Sequence, residues 1–480
     1  MKDQTVHDRT FYTAPYYAAY RIIFKFVERL IRMPFKRLTF NRSFFRDVFN
    51  LTSGYSVSQL IIVAFSPLLS RLYTPEEFGI FFFFITTASL ISIVATGGYE
   101  KAVVVAEKDQ DAGDLIRYSI TLVLLTTLLT AAVFVTLQFT GDRLFESVTE
   151  RRIMLLVPLY TLLFGLFRIL QNHNIRRNRF GAISGAFILR SSSQSVVQAG
   201  LGAAGMASPG LILGSCFGQL MGVISQMRRE KLFSGILNKE KRADAKARAR
   251  EFSDYPRYRM SSDLINEASI QAPVYILKTF FSNAVTGLYT FPQKILYQPS
   301  KFISQAVADV FFNKASKMNS RNRSLGELTF STYKTLLILG VVPYLVIILW
   351  GPELFSFIFG SGWEESGRIA SILSPWMFLV FIGSPISGIF LVDKRLRLSF
   401  ILNISLLMLR IGALLTGAII FKDVKITIIL FSAVSSAYWV ASILYSLHFA
   451  GVQIKRVLIV TLYVVAVSAA LFVPLKLLIK

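Results

Sequence analysis

The chain has one cysteine, Cys216, set within an apolar stretch, so no intrachain disulfide can form and a cysteine-bearing metal cluster is not expected. Its three histidines show no metal-ligand spacing. No Gly-x-x-x-x-Gly-Lys phosphate loop is present, and no acidic pair sits in a sizeable polar loop. These absences argue against an enzyme, and neither a metal nor an organic cofactor is expected. Acidic residues are also scarce, with 28 Asp and Glu against 52 Lys and Arg, a formal charge of +24. A cleavable leader is not read at the start, because residues 1–46 are basic and polar, so the first apolar span is expected to act as the insertion signal.

What the chain has in quantity is apolar residue, 53% of its 480 positions. Length alone would allow about three soluble domains. Runs such as Leu60–Leu69, Gly79–Val94 and Leu336–Trp350 instead recur with regular spacing. About 30 Å of hydrocarbon requires about 20 apolar residues per helix. The strict alternation of a membrane barrel is missing, which leaves helices as the spanning structure. Spans are predicted at 48–70, 79–99, 114–138, 152–172, 183–204 and 209–227, then at 260–281, 287–312, 327–350, 367–392, 398–420 and 425–449. A further run at 457–475 is long enough to cross and would place the C-terminus outside.

In a soluble protein so much positive charge would suggest nucleic acid. Here its placement points elsewhere, and no nucleic-acid partner is expected. Basic residues fall in alternate loops: Arg32 to Arg46, Arg176 to Arg179, Arg228 to Arg259, Lys314 to Arg323, Lys394 to Arg397, and Lys455 with Arg456. The intervening loops carry Glu76 and Glu77, Asp142 and Glu146, and Glu353, Glu364 and Glu365. The positive-inside rule makes the first set, and the N-terminus, cytoplasmic.

The expected organisation is an interfacial N-terminal segment (1–47), a first lobe (48–227), a basic linker (228–259), a second lobe (260–449) and an additional C-terminal helix (450–480). Within the first segment, Tyr16, Tyr20, Ile23, Val27 and Leu30 share one helical face over 15–33, which suits a helix lying on anionic lipid. Lys239–Glu251 is Ala-rich and charged, as expected of a solvated linker helix. Arg71…Gly79 and Lys278…Gly287 join the first two helices of each lobe, each with a cation, an aromatic and a glycine opening the next helix. Six helices return the chain to its starting side, so the repeat is parallel. The predicted fold is therefore an all-α integral membrane protein of two six-helix lobes, twelve core spans plus one, with substrate between the lobes.

A charge within a span costs about 2.5 to 3.5 kcal/mol on insertion scales, so each is a candidate functional group. Lys301 and Arg410 lie ten or more residues from both ends of their predicted helices. Lys294, Gln298, Lys301 and Gln305 form one narrow helical stripe; Asp263, Glu267, Gln271 and Lys278 form a looser one, and Arg190, Gln194 and Gln198 a third. The excess of cations marks Lys301, Arg410, Lys294, Arg190, Lys278, Gln298 and Gln305 as candidate binding groups for an anionic substrate such as a diphosphate. Glu267, with Asp263 and Asp309, is the candidate site of proton or sodium coupling. The alternative is that these groups pair with one another and hold helices together, or, for Arg168, Lys278 and Asp309 near helix ends, that they reach water by snorkelling.

Ser70-Arg-Leu-Tyr-Thr-Pro-Glu-Glu-Phe-Gly79 resembles the first-loop motif of the polysaccharide-transport (Wzx-type, O-antigen) flippases of the MOP superfamily, as does Tyr99-Glu100. Phe281 to Pro299, Ala306 to Phe312, Gly351 to Gly367, Pro375-Trp376 and Ser384 to Phe390 resemble the second half of that family in order. The resemblance covers about Arg42 to His448. It implies a MATE-like two-lobe fold with a cation-lined cavity. The implied activity is flipping of undecaprenyl-diphosphate-linked oligosaccharide, for O-antigen of lipopolysaccharide, capsule or exopolysaccharide, across a bacterial inner membrane by ion-coupled alternating access. The implied partners are that lipid-linked sugar, the bilayer, and a polysaccharide polymerase with its chain-length regulator. A drug antiporter of the same superfamily would favour a cavity poor in cations and rich in aromatics. A membrane polymerase or ligase would carry a large outward loop with catalytic arginines, and no outward loop here greatly exceeds Gly351–Ser366.

Overall fold

The computed structural model describes residues 42–140, 145–227, 239–319, 324–389 and 396–479. The interfacial helix expected at 15–33 lies outside the described residues. Asn50–Lys480 forms one unit and Met1–Phe49 another, of which only the start of the first helix is described.

The elements of the described residues are all helices, in the two-lobe architecture expected. The first lobe contains α1 (Arg42–Leu72), α2 (Pro75–Ala95), a short α3 (Tyr99–Val105), α4 (Asp109–Thr140), α5 (Val148–Ile153) running through a tight turn into α6 (Val157–Arg176), α7 (Phe180–Ala203) and α8 (Ser208–Met227). A linker helix α9 (Lys239–Glu251) follows. The second lobe contains α10 (Ser261–Phe280), α11 (Asn283–Asn319), α12 (Gly326–Phe359), α13 (Glu364–Ile386), α14 (Leu396–Leu415) and α15 (Val424–Phe449), and the chain ends in α16 (Ile454–Ile479).

Local chemistry sets several boundaries. Thr74 caps α2 in a reciprocal capping box with Glu77, and Pro75, whose missing N–H is harmless in a first turn, starts the helix. Ser147 caps α5 and Asp423 caps α15 through side-chain oxygens. Gly360, at φ 104, lets the chain leave α12.

Ten described helices are long and apolar enough to cross a membrane, which makes this a multi-pass membrane protein. The exceptions among the long helices are α7, α10 and α11, which carry the polar stripes noted in the sequence.

Two expectations change. The ninth span was expected to end at Trp350, with Gly351–Ser366 as a loop. The helix instead bends at Trp350 (φ −122, ψ 17) and continues to Phe359. Pro352 removes one backbone donor and crowds the preceding turn, which kinks a helix without ending it. The linker helix α9 was expected to be solvated. Its Ala245 and Ala249 are buried, the latter against Ala112 and Leu115 of α4, and Arg248 pairs with Asp111 at 3.0 Å. Alanines four residues apart leave a smooth stripe on which another helix can lie.

α16 packs parallel to α12. Arg456 pairs with Glu327 near the start of both helices, Tyr333 meets Thr461 further along, Trp350 meets Phe472, and Lys476 reaches Glu353 at 3.5 Å near their ends. Only 11% of the most apolar stretch of α16 is buried, so most of its surface suits lipid.

Candidate functional site

A cavity of about 260 Å³ lies between the lobes. The first lobe supplies Tyr55 and Gln59 from α1, Phe78, Phe81 and Phe82 from α2, Tyr160 from α6, and Arg190 and Gln194 from α7; α11 of the second lobe supplies Phe291 and Lys294. Two cations, amides and phenols thus share an aromatic wall, and no Asp or Glu is among the described lining residues.

Arg190 is placed by its neighbours on both sides. Gly214, Gly218 and Gly222 recur every fourth residue on α8, and a Cβ at Gly218 would sit 2.7 Å from the Arg190 carbonyl oxygen. Glycine therefore lets α8 lie directly against the α7 backbone. With that face occupied, the Arg190 side chain turns to the cavity, where its guanidinium lies 5.4 Å from the Phe167 ring centre and 5.8 Å from that of Phe164. Gln194, one turn on, lines the same cavity; Gln198 lines its edge, but its amide donates to the Leu211 carbonyl at 2.8 Å and to Ser215 Oγ at 3.1 Å.

The remaining candidates are distributed elsewhere. Gln305 lines a separate cavity of about 50 Å³ inside the second lobe, with Tyr297, Ser300 and Ser304. Lys301, Gln298 and Asp309 lie on α11, and their side chains are outside the described residues. Arg410 is 4% exposed and sits in the interior of the second lobe. Its Nε donates to Ser435 Oγ at 3.1 Å and its Nη1 to Ser269 Oγ at 3.3 Å, while Trp376 and Phe431 cover the guanidinium at 5.1 and 5.4 Å. Asp263 is partly exposed and ion-paired with Lys101 and Arg259, so it serves as a surface tie. Glu267 is half-buried and accepts from Gln271 Nε2 at 2.8 Å; Gln271 Oε1 in turn accepts from Thr86 of α2 at 3.4 Å. That chain links a candidate coupling carboxylate to the facing lobe.

Lys278 does not reach water. It is 7% exposed, forms an ion pair with the fully buried Glu150, and donates to Asn283 Oδ1 at 2.7 Å. Asn283 Nδ2 donates to the other Glu150 oxygen at 3.0 Å, and its backbone N–H donates to Glu146 at 2.8 Å. Satisfying every partner lets these charges stay buried between the lobes. Glu150 and Asn283 carried no sequence signal, since polar residues at span ends are ordinary.

The same end is closed by backbone contact. A Cβ at Gly79 would lie 1.8 Å from the Asn283 carbonyl oxygen, and one at Gly287 would lie 1.8 Å from that of Pro75. The two loops noted for their similarity are thus seated on each other, each glycine admitting the other's first helical turn. Around them, Trp363 Nε1 donates to the Ser70 carbonyl at 2.8 Å, and the Trp363 and Phe291 rings, tilted against each other, both meet Phe78 edge to face. At the opposite end the described ties between lobes include the partly exposed Lys101–Asp263 pair.

Two helical lobes of a multi-pass membrane protein thus meet at a cationic cavity. A family model for polysaccharide biosynthesis proteins matches residues 68–368, more than half of the chain, and the protein belongs to that family. Its fold is similar to that of solved MOP superfamily transporters. It is similar to the lipid II flippase MurJ in an inward closed conformation, with TM-score 0.70 and 14% identity over 88% of this chain and 92% of that one. It is also similar to a multidrug resistance MATE family transporter in an inward-facing conformation, with TM-score 0.61 and 13% identity over 83% and 94%. A MOP superfamily transporter from Pyrococcus furiosus, described as having a binding pocket of reverse polarity, gives TM-score 0.57 and 14% identity over 84% and 94%. No curated protein matches in sequence.

Proposed function

We propose that the protein is a flippase that carries an undecaprenyl-diphosphate-linked oligosaccharide from the cytoplasmic to the outer leaflet of a bacterial inner membrane. The observation that carries this reading is the interlobe cavity, which holds Arg190 and Lys294 and has no acid among its described lining residues. A guanidinium presents a planar fork to phosphate oxygens and a lysine adds a point charge, so the pair suits a diphosphate. The aromatic wall offers faces for sugar rings. At about 260 Å³ the cavity fits a headgroup portion, so the chain of sugars would extend toward an open end.

The positive-inside pattern puts the Gly79 end outside. The buried Glu150–Lys278–Asn283 network and the glycine crossing hold that end shut, while the partly exposed Lys101–Asp263 pair on the cytoplasmic side is weaker, which favours loading from the cytoplasm. Ion coupling would act at Glu267, whose protonation removes a negative acceptor from the Gln271–Thr86 chain.

The aromatic wall also suits a drug antiporter, but a cationic drug would meet two like charges. Reconstituted vesicles distinguish the readings. A fluorescent undecaprenyl-diphosphate oligosaccharide should become accessible to an external quencher faster with the protein than without it, and Arg190→Gln/Lys294→Gln should abolish the gain. Equal rates with and without protein, or uptake of a lipophilic cation instead, would defeat the proposal.

A further inference from the structure

Arg410 is a full charge inside the second lobe for which the cargo cavity has no use. It forms no ion pair with any described Asp or Glu. Its partners are two neutral hydroxyls, Ser269 and Ser435, and two ring faces. Glu267, only two residues from Ser269 on α10, turns its carboxylate to Gln271 instead. A guanidinium has five N–H donors, and these contacts use two of them.

Other donors gather at the same place. Tyr289 is fully buried, and its ring meets Phe431, which also covers the guanidinium. Its hydroxyl has no hydrogen-bond partner among the described residues, and neither does the indole N–H of Trp376, the other ring over Arg410. Buried donors are nearly always satisfied, and a cluster of unsatisfied ones beside an uncompensated cation calls for an acceptor that carries negative charge.

We propose that the second lobe binds a small monovalent inorganic anion, of the chloride class, between Arg410, the Tyr289 hydroxyl and the Trp376 indole N–H. The anion neutralises the guanidinium and ties α11, α13 and α14 together inside one lobe. It is separate from the cargo, because the first lobe's arginine faces the cavity and this one does not.

The test uses the full-length protein in detergent. The thermal midpoint is followed while chloride replaces gluconate, which is too bulky to enter, at constant ionic strength. A saturable rise with chloride is expected, and Arg410→Gln should abolish it. Tyr289→Phe keeps the ring and the charge, so it folds even if Arg410→Gln does not. It should weaken the apparent chloride affinity about tenfold, the effect of one hydrogen bond to a charged ligand. Arg190→Gln should leave the chloride response intact. A midpoint that does not distinguish chloride from gluconate overturns the proposal. So does a response unchanged in Tyr289→Phe, or one lost in Arg190→Gln, which would place the anion in the cargo cavity. None of these outcomes depends on transport of the lipid-linked sugar.

Discussion

The loop from α1 to α2 and the loop from α10 to α11 share a crossing glycine and a leading cation, and they part company in where the cation goes. Their glycines are interchangeable in role, for Gly79 and Gly287 admit each other's neighbouring carbonyls in the same geometry. Their cations are not: Arg71 is exposed, whereas Lys278 is buried against Glu150. The fifth helices of the two lobes repeat the lesson. Arg190 and Arg410 both lie over aromatic rings, yet Arg190 faces the cavity and Arg410 is sealed inside its lobe. The repeat preserves what closes the lobes and varies where charge is placed.

The comparison breaks most readily at the cations. Lys278→Met leaves the Glu150 carboxylate buried and uncompensated, so it should lower stability by about 3 to 5 kcal/mol, while Arg71→Met should change it by less than about 0.5 kcal/mol. Adding Glu150→Gln to Lys278→Met should recover most of the loss, read as a double-mutant cycle in denaturant unfolding. Equal effects at positions 71 and 278 would contradict the contrast. Gly79→Val and Gly287→Val should each remove about 3 kcal/mol, since a branched side chain meets backbone that cannot retreat, and the two losses should match within about 0.5 kcal/mol. Unequal losses would show that the crossing is not reciprocal.

The arginines sharpen the same contrast. Arg410→Gln should lower stability by about 2 kcal/mol through lost ring contacts and two unpaired hydroxyls. Arg190→Gln should cost under about 1 kcal/mol of stability but slow cargo transport about tenfold, a loss of about 1.4 kcal/mol in the transition state. Asp263→Asn should change stability by under about 1 kcal/mol in an unfolding titration, because its ion pairs are partly exposed.

Most spans were legible in sequence because the bilayer imposes a length on apolar runs. The predicted 209–227 and 425–449 coincide closely with α8 and α15. The bend at Trp350 was not legible, since Pro352 reads equally as a stop or a kink. The cavity was half legible. Helical spacing groups Arg190 with Gln194 and puts Lys294 on a polar face, and all three line one cavity, but a polar stripe does not say which interior it faces. For α7 and the first part of α11 that interior is the space between lobes; for α14 it is the core of the lobe itself, which is where Arg410 went. Lys278 was read against the distance to its helix end, a one-dimensional measure that has no knowledge of Glu150, 128 residues earlier in the chain.

The polarity of α7, α10 and α11 has a consequence for how the protein is made. These helices are less apolar than the other long helices, and two of them are consecutive, so the membrane insertion machinery would meet a weakly apolar hairpin in mid-synthesis. By then α2 has already been delivered, and it is the helix on which both α10 and α11 pack. The surface that later walls the cavity would thus act first as a chaperone, sheltering the polar hairpin until the rest of the second lobe arrives.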